Sequence, residues 1–197
     1  MNYLKLIVFI GVSIFLSSCS LIGINFTYKT PKVPGKYPHF SEKDYLLGEN
    51  SELRQKVDVT FYDLNLELDI PKQSIQGFVD IHFVTSGTLD TMQLDLDKKM
   101  KIKSIIFQRD TLKYSRKENT LYVLFYQSIP ANQVQQIRVY YEGKPLQAKR
   151  PPWDGGFIWE KDQNGNPWIS VACQGLGAHI WFPLEDHPSD EPDSVRL

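Results

Sequence analysis

YDLNLELDI, residues 62–70, puts Leu64, Leu66, Leu68 and Ile70 at every second position, with Asp63, Asn65, Glu67 and Asp69 between them. Successive side chains of an extended chain point to opposite faces, so this is the pattern of a strand buried on one side and wet on the other. A surface helix would instead need apolar residues three and four apart, and no stretch of the chain sustains that stripe. Working outward, Gly77 to Val84 repeats the period of two, with Val79, Ile81 and Phe83 facing inward. Further runs of β character follow at TMQLDL (91–96), KIKSIIF (101–107), TLKYS (111–115), TLYVLFY (120–126) and QQIRVYYEG (135–143). They recur about every ten residues and are separated by Pro, Gly, Asn and Asp turns. The predicted fold class is all-β, an antiparallel β-sandwich or meander.

The N-terminus predicts the compartment. MNYLK carries Lys5, LIVFIGVSIFL (Leu6 to Leu16) is uncharged and mostly apolar, and Ser17-Ser18-Cys19 follows. Such a run is too short to span a bilayer but suits the apolar region of a secretory signal. LSSC resembles a bacterial lipobox, in which the Cys19 thiol is acylated and becomes the mature N-terminus; the alternative is an ordinary signal peptide with an incidental cysteine. The expected organisation is a signal peptide at 1–18, a lipidated tether at 19–45 and a β domain at 46–197. Residues 20–45, with TPKVPGKYPHF, lack periodicity and read as the tether. Several acyl chains, at roughly 0.8 kcal/mol per buried methylene, would hold the chain on a membrane. Ser20 and the absence of acid just after Cys19 fit the periplasmic side of an outer membrane.

There are 2 cysteines in the 197 residues, so acylation of Cys19 would leave Cys173 without an intramolecular partner and exclude a disulfide framework. With 22 basic and 23 acidic residues the net charge is -1. Acids and bases are interspersed, and nothing forms the concentrated basic face that nucleic acid requires.

All 4 tryptophans fall between Trp153 and Trp181. Asn164-Gly165 predicts a two-residue type I′ turn, since both central positions of that turn need positive φ. That loop would pair Gln163 with Asn166, Lys161 with Trp168, and Trp159 with Ser170. One face would then carry Phe157, Trp159, Lys161, Trp168, Ser170, Ala172 and Gln174, the composition of a recognition surface. The other would carry Ile158, Glu160, Ile169, Val171 and Cys173, making Cys173 a small buried apolar residue. Alternatively, the tryptophans cap the edge of the sandwich and the Gln174 amide satisfies a nearby backbone group. Gly175 and Gly177 supply positive φ or close backbone approach. Glu185, Asp186, Asp190, Glu191 and Asp193, broken by Pro188 and Pro192, read as a solvated bend rather than a calcium loop, and DQNGN (162–166) reads as a turn.

Taken in order, YDLNLELDI, IQGFVDIHF, MQLDLDKKMKI, VYYEGKP and WISVACQGLGAHIWFPLEDHPSDEPDSVRL resemble the N-terminal domain of zinc aminopeptidases of the aminopeptidase N and leukotriene hydrolase family. The likeness runs from about Asp58 to the end, and PPWDGGFIW is similar to bacterial lipoprotein members. The resemblance implies that Gln174 lines the substrate cleft near the free amine or first carbonyl of a peptide. Ala172 falls where the family often has a second cleft-lining glutamine. The family's zinc would be expected in a catalytic domain carrying His-Glu-x-x-His and Gly-x-Met-Glu-Asn, where two histidines one helical turn apart hold the metal and the glutamate acts as base.

Those motifs do not occur in this sequence. His39, His82, His179 and His187 are followed by Phe, Phe, Ile and Pro, and no Gly-x-Met is found. No catalytic residue and no metal or cofactor site is therefore expected in this chain. The sequence stops at PDSVRL, where the family's domain would add strands, so an incomplete domain with an unpaired edge after Val195 is expected. A second function class stays open: a membrane-anchored β-sandwich lipoprotein binding peptide or glycan through Trp159 and Trp168.

Overall fold

The computed structural model describes residues 39–151 and 153–197. The expected signal peptide, Cys19 and most of the expected tether lie outside the described residues. Phe40–Leu197 forms one compact unit, which holds the helix and all the strands that follow.

It begins with one short helix, α1 (Glu42–Gly48), started by a capping box in which Ser41 and Asp44 satisfy each other's backbone N–H. The expected tether thus includes the first half of a helix. Its signal is Ser41 followed three residues later by an acid, rather than any apolar stripe. A 3-10 turn at Arg54–Lys56 leads into eleven strands: β1 (Val57–Asp69), β2 (Ser74–Thr85), β3 (Leu89–Asp95), β4 (Met100–Phe107), β5 (Asp110–Thr111), β6 (Lys113–Lys117), β7 (Thr120–Ile129), β8 (Val134–Gly143), β9 (Gly156–Lys161), β10 (Pro167–Ala172) and β11 (Ser194–Arg196). Every strand run anticipated from period two is present.

The strands form a six-stranded sheet in the order β11-β1-β2-β8-β4-β5, a three-stranded sheet β3-β7-β6 and the hairpin β9-β10. All pairs are antiparallel except β11, which lies parallel to β1. That exception escaped sequence reading because Ser194–Arg196 is too short to show any period. The inner faces of the two larger sheets meet in one core, where Val79, Ile81 and Phe83 from β2 join Met92, Leu94, Leu121 and Val123 from the smaller sheet. A bulge between Val59 and Phe61 inserts Thr60 as an extra residue, so the inward positions of β1 change from Val57 and Val59 to Tyr62 and Leu64.

The inward face of the decisive stretch ends early. Leu64 is buried and Leu66 packs against the core, but Leu68 and Ile70 are 43% and 40% exposed. The β1–β2 hairpin runs on past the edge of the core, and alternation alone carries no information about where the opposing sheet stops.

Candidate functional site

The Trp-rich hairpin forms with a different loop from the one expected. Gly165 N donates to Asp162 O at 3.0 Å and Asp162 N to Asn166 O at 2.8 Å, which closes a three-residue loop over 163–165. Gly165 alone takes positive φ, at 85°. The Asp162 carboxylate selects this loop by accepting from the backbone N–H groups of Asn164 and Asn166 and from the Asn166 side chain. The extra loop residue shifts the register by one, so Lys161 pairs with Pro167, Glu160 with Trp168 and Trp159 with Ile169.

A one-residue slip reverses which faces coincide. Trp159 shares a face with Phe157 and Ile169 and packs against the core, with its ring 5.3 Å from that of Phe157. Trp168 points the other way and is 62% exposed. The structure therefore does not bring Trp159 and Trp168 onto one recognition face. Cys173, expected to be buried, is exposed.

Gln174 opens the turn that follows β10, and it is exposed. Cys173 O accepts from both Leu176 N and Gly177 N at 3.1 Å, which closes the turn, with Gly175 at φ 68° and Gly177 at φ 89°. A Cβ on Gly177 would sit 2.1 Å from an Asp186 carboxylate oxygen, so glycine is required there by contact as well as by φ. The Gln174 side chain makes no hydrogen bond among the described residues. The reading in which it satisfies a neighbouring backbone group is thus not what the structure shows. Ala172 ends β10 opposite Gly156 and offers no polar group.

Behind the turn, Gly175, Leu176 and Gly177 border a cleft of about 630 Å³ whose far wall includes Glu185, Asp186 and Asp190. These acids form no solvated bend. The His179 ring Nδ1 lies 2.6 Å from Asp186 Oδ2, and the His179 backbone N–H donates to the same oxygen. Burial alone would raise the Asp186 carboxyl, but these hydrogen bonds outweigh it and hold it below the usual aspartate range. At 3% exposure the His179 ring is closed to substrate, and the pair holds the turn in place.

One layer deeper lies an ion cluster that sequence reading missed. Arg54 reaches Asp95 at 2.7 Å and Glu185 at 2.8 Å, with all three side chains almost wholly buried. Arg54 also donates to Leu46 O of α1, and Glu185 N donates to the Tyr62 hydroxyl. Burial drives the Glu185 carboxyl up to about 7 against the opposing pull of Arg54, and Glu185 Oε1 has no partner. The cluster ties α1, the Arg54–Lys56 turn, β3 and the 184–190 segment together beneath the Gln174 turn. The partners lie far apart in sequence (131 positions between Arg54 and Glu185), so no local pattern announces them.

Among the described residues no group of three His, Cys, Asp or Glu side chains is placed to hold a metal ion. The His179 ring is 3% exposed, and the His187 ring has Nδ1 against Ser189 and Nε2 3.3 Å from Gly48 O, so neither histidine offers a free nitrogen to zinc beside a second and third ligand. No helix of the described residues is long and apolar enough to cross a membrane.

No protein-family model matches the sequence, nor does any curated protein. Solved structures match in fold. An M1 zinc metallopeptidase from Deinococcus radiodurans, bound to a Tyr-Ser-Ala substrate, aligns with TM-score 0.56 and 21% identity over 73% of this chain and 32% of its own. Yeast leukotriene A4 hydrolase in complex with bestatin aligns with TM-score 0.57 and 17% identity over 81% of this chain and 24% of its own. The native Saccharomyces cerevisiae enzyme gives TM-score 0.57 and 18% identity over 79% and 25%. The chain has the fold of part of these enzymes and spans less than a third of their length.

Proposed function

We propose that this chain is the N-terminal, substrate-cleft-lining domain of a zinc-dependent aminopeptidase that removes N-terminal residues from peptides. The observation that carries this reading is the exposed, unengaged Gln174 amide, held on a fixed turn at the position the sequence resemblance assigns to the substrate. The shared fold with M1 zinc metallopeptidases supports it. In this reading zinc belongs to a catalytic domain beyond the described residues, and the peptide meets both domains. The part played by this chain is to orient the substrate: the Gln174 amide donates to a peptide carbonyl or accepts from the free ammonium. The Trp-based reading loses its support, because the observed register separates Trp159 from Trp168.

A chain with this role has no aminopeptidase chemistry of its own, because that chemistry needs a metal-activated water. Purified alone, it is expected to release no product from aminoacyl-arylamides and to bind no stoichiometric zinc. Supplied with a catalytic domain carrying both zinc motifs, it is expected to give a chelator-sensitive activity. An activity of that kind copurifying with the chain alone to homogeneity would overturn the proposal.

The same reading places the chain on a membrane through acylated Cys19, on the periplasmic side of an outer membrane. Cys19→Ala is expected to abolish metabolic labelling with fatty acid and to leave the protein extractable from membranes by high salt. Retained labelling would show that Cys19 is not the acylated residue.

A further inference from the structure

We propose that the tip of the β1–β2 hairpin, with the lysines beside it, is a docking surface for an anionic lipid bilayer. The sheet register brings the end of β1, the start of β2, the end of β8 and the start of β4 to one end of the large sheet, since Ile75 pairs with both Leu68 and Gly143 and Gly143 with Met100. Two features coincide at that end. Leu68 and Ile70 stand exposed beyond the core on a hairpin whose turn closes through Gln73 N and Ile70 O. Lys72, Lys99, Lys101 and Lys144 line the adjoining open cleft of about 890 Å³.

The charge there is not cancelled locally. Of the three acids in the same cleft, Asp69 is held by Lys72 at 2.7 Å and Glu142 by Lys103 at 3.2 Å, while the exposed Glu67 accepts from the Gln76 side chain at 2.7 Å and is one carboxylate set against three further lysines. Lys99, Lys101 and Lys144 are exposed and form no ion pair among the described residues. A chain of net charge -1 therefore presents a basic surface at this end. Aliphatic side chains on a projecting turn, ringed by lysines, match a bilayer, which accepts the apolar tip into its interface while its headgroups meet the ammonium groups. An acidic peptide would meet the lysines but leave Leu68 and Ile70 in water.

The inference is independent of the peptidase reading and of Cys19, and its test separates docking from anchoring. The full chain, in a Cys19→Ala and Cys173→Ser background that carries neither a lipid anchor nor a native thiol, is given one cysteine at Pro71→Cys or, as control, at Asn164→Cys in the other hairpin. Each carries an environment-sensitive fluorophore, and the chain without an added cysteine supplies the background. Vesicles of phosphatidylglycerol and phosphatidylcholine containing a doxyl-labelled acyl chain are then added. The label at 71 is expected to be quenched and that at 164 not, with the effect lost on pure phosphatidylcholine and in high salt. Reversing Lys99, Lys101 and Lys144 to Glu should weaken partitioning by at least about fivefold per lysine. Thermal melts confirm that each variant is folded. Equal quenching at both positions, quenching indifferent to phosphatidylglycerol, or a label at 71 that responds only to an acidic peptide would each overturn the proposal.

Discussion

Arg54→Met is expected to destabilise the fold by about 3–5 kcal/mol at pH 8, more than any other single change in the site segment. The reason is desolvation. Asp95 and Glu185 lie almost wholly out of water on either side of one guanidinium. Removing that guanidinium leaves two buried carboxylates with no counter-charge, the situation in which breaking a buried ion pair is most costly. Thr120 would still donate to Asp95 and Tyr62 would still meet Glu185 N, but neither group carries charge. Urea unfolding measures the loss. A change below about 1 kcal/mol, against the ~3–5 kcal/mol expected for a broken buried pair, would show that the cluster carries little of the fold's stability.

The same cluster fixes the direction of the pH dependence. Burial raises the Glu185 carboxyl to about 7 from an ordinary value of 4.5, and it raises Asp95 in the same direction. An acid with a raised folded pKa binds its proton more tightly when folded. Its stabilising contribution is complete below the unfolded value and is lost as pH rises through the folded one. The native chain should therefore be more stable at pH 5 than at pH 8, and Glu185→Gln should flatten that slope. Asp186, held low by His179, acts in the opposite sense but only in more acid solution. The Arg54→Met deficit should likewise shrink at pH 5, where Glu185 carries a proton.

Gln174→Ala, made in an enzyme that includes the catalytic domain, is expected to lower kcat/KM by roughly one to two orders of magnitude while leaving the melting curve unchanged. An amide hydrogen bond to substrate in a partly shielded cleft contributes about 1–3 kcal/mol when its loss leaves the partner unsatisfied. The fold should not notice the change, because the Gln174 side chain is exposed and engages nothing among the described residues. The turn is held instead by Cys173 O, by Gly177 and by the His179–Asp186 pair. Wild-type kinetics in the variant would remove Gln174 from the substrate site.

How far the sequence could be read follows from the range of each interaction. Strand existence was legible because period two is a local signal, and β1, β2, β4, β7 and β8 lie where alternation puts them. Their relation to the core was less so: Leu68 and Ile70 alternate as well as Leu64 does, yet they pass the edge of the opposing sheet. Asn164-Gly165 announced a hairpin, but the type of loop was decided by the Asp162 carboxylate two residues upstream. That single oxygen-to-backbone preference moved the register and sent Trp159 and Trp168 to opposite faces. Gln174 was expected on the hairpin face that carries Trp159 and Trp168, through a register the structure does not have, and it lies instead in the turn after β10. Its exposure comes from the Gly175 and Gly177 turn. Arg54, Asp95 and Glu185 were out of reach because tertiary structure alone joins them.

The central claim, that this domain lines the cleft of a zinc aminopeptidase, is tested most directly by reading the nucleotide sequence past codon 197. The account predicts a continuation, in frame or after a single frameshift, that encodes further strands, then Gly-x-Met-Glu-Asn, His-Glu-x-x-His and a downstream glutamate ligand. A clean stop followed by an unrelated gene, with no such motifs nearby, would contradict it.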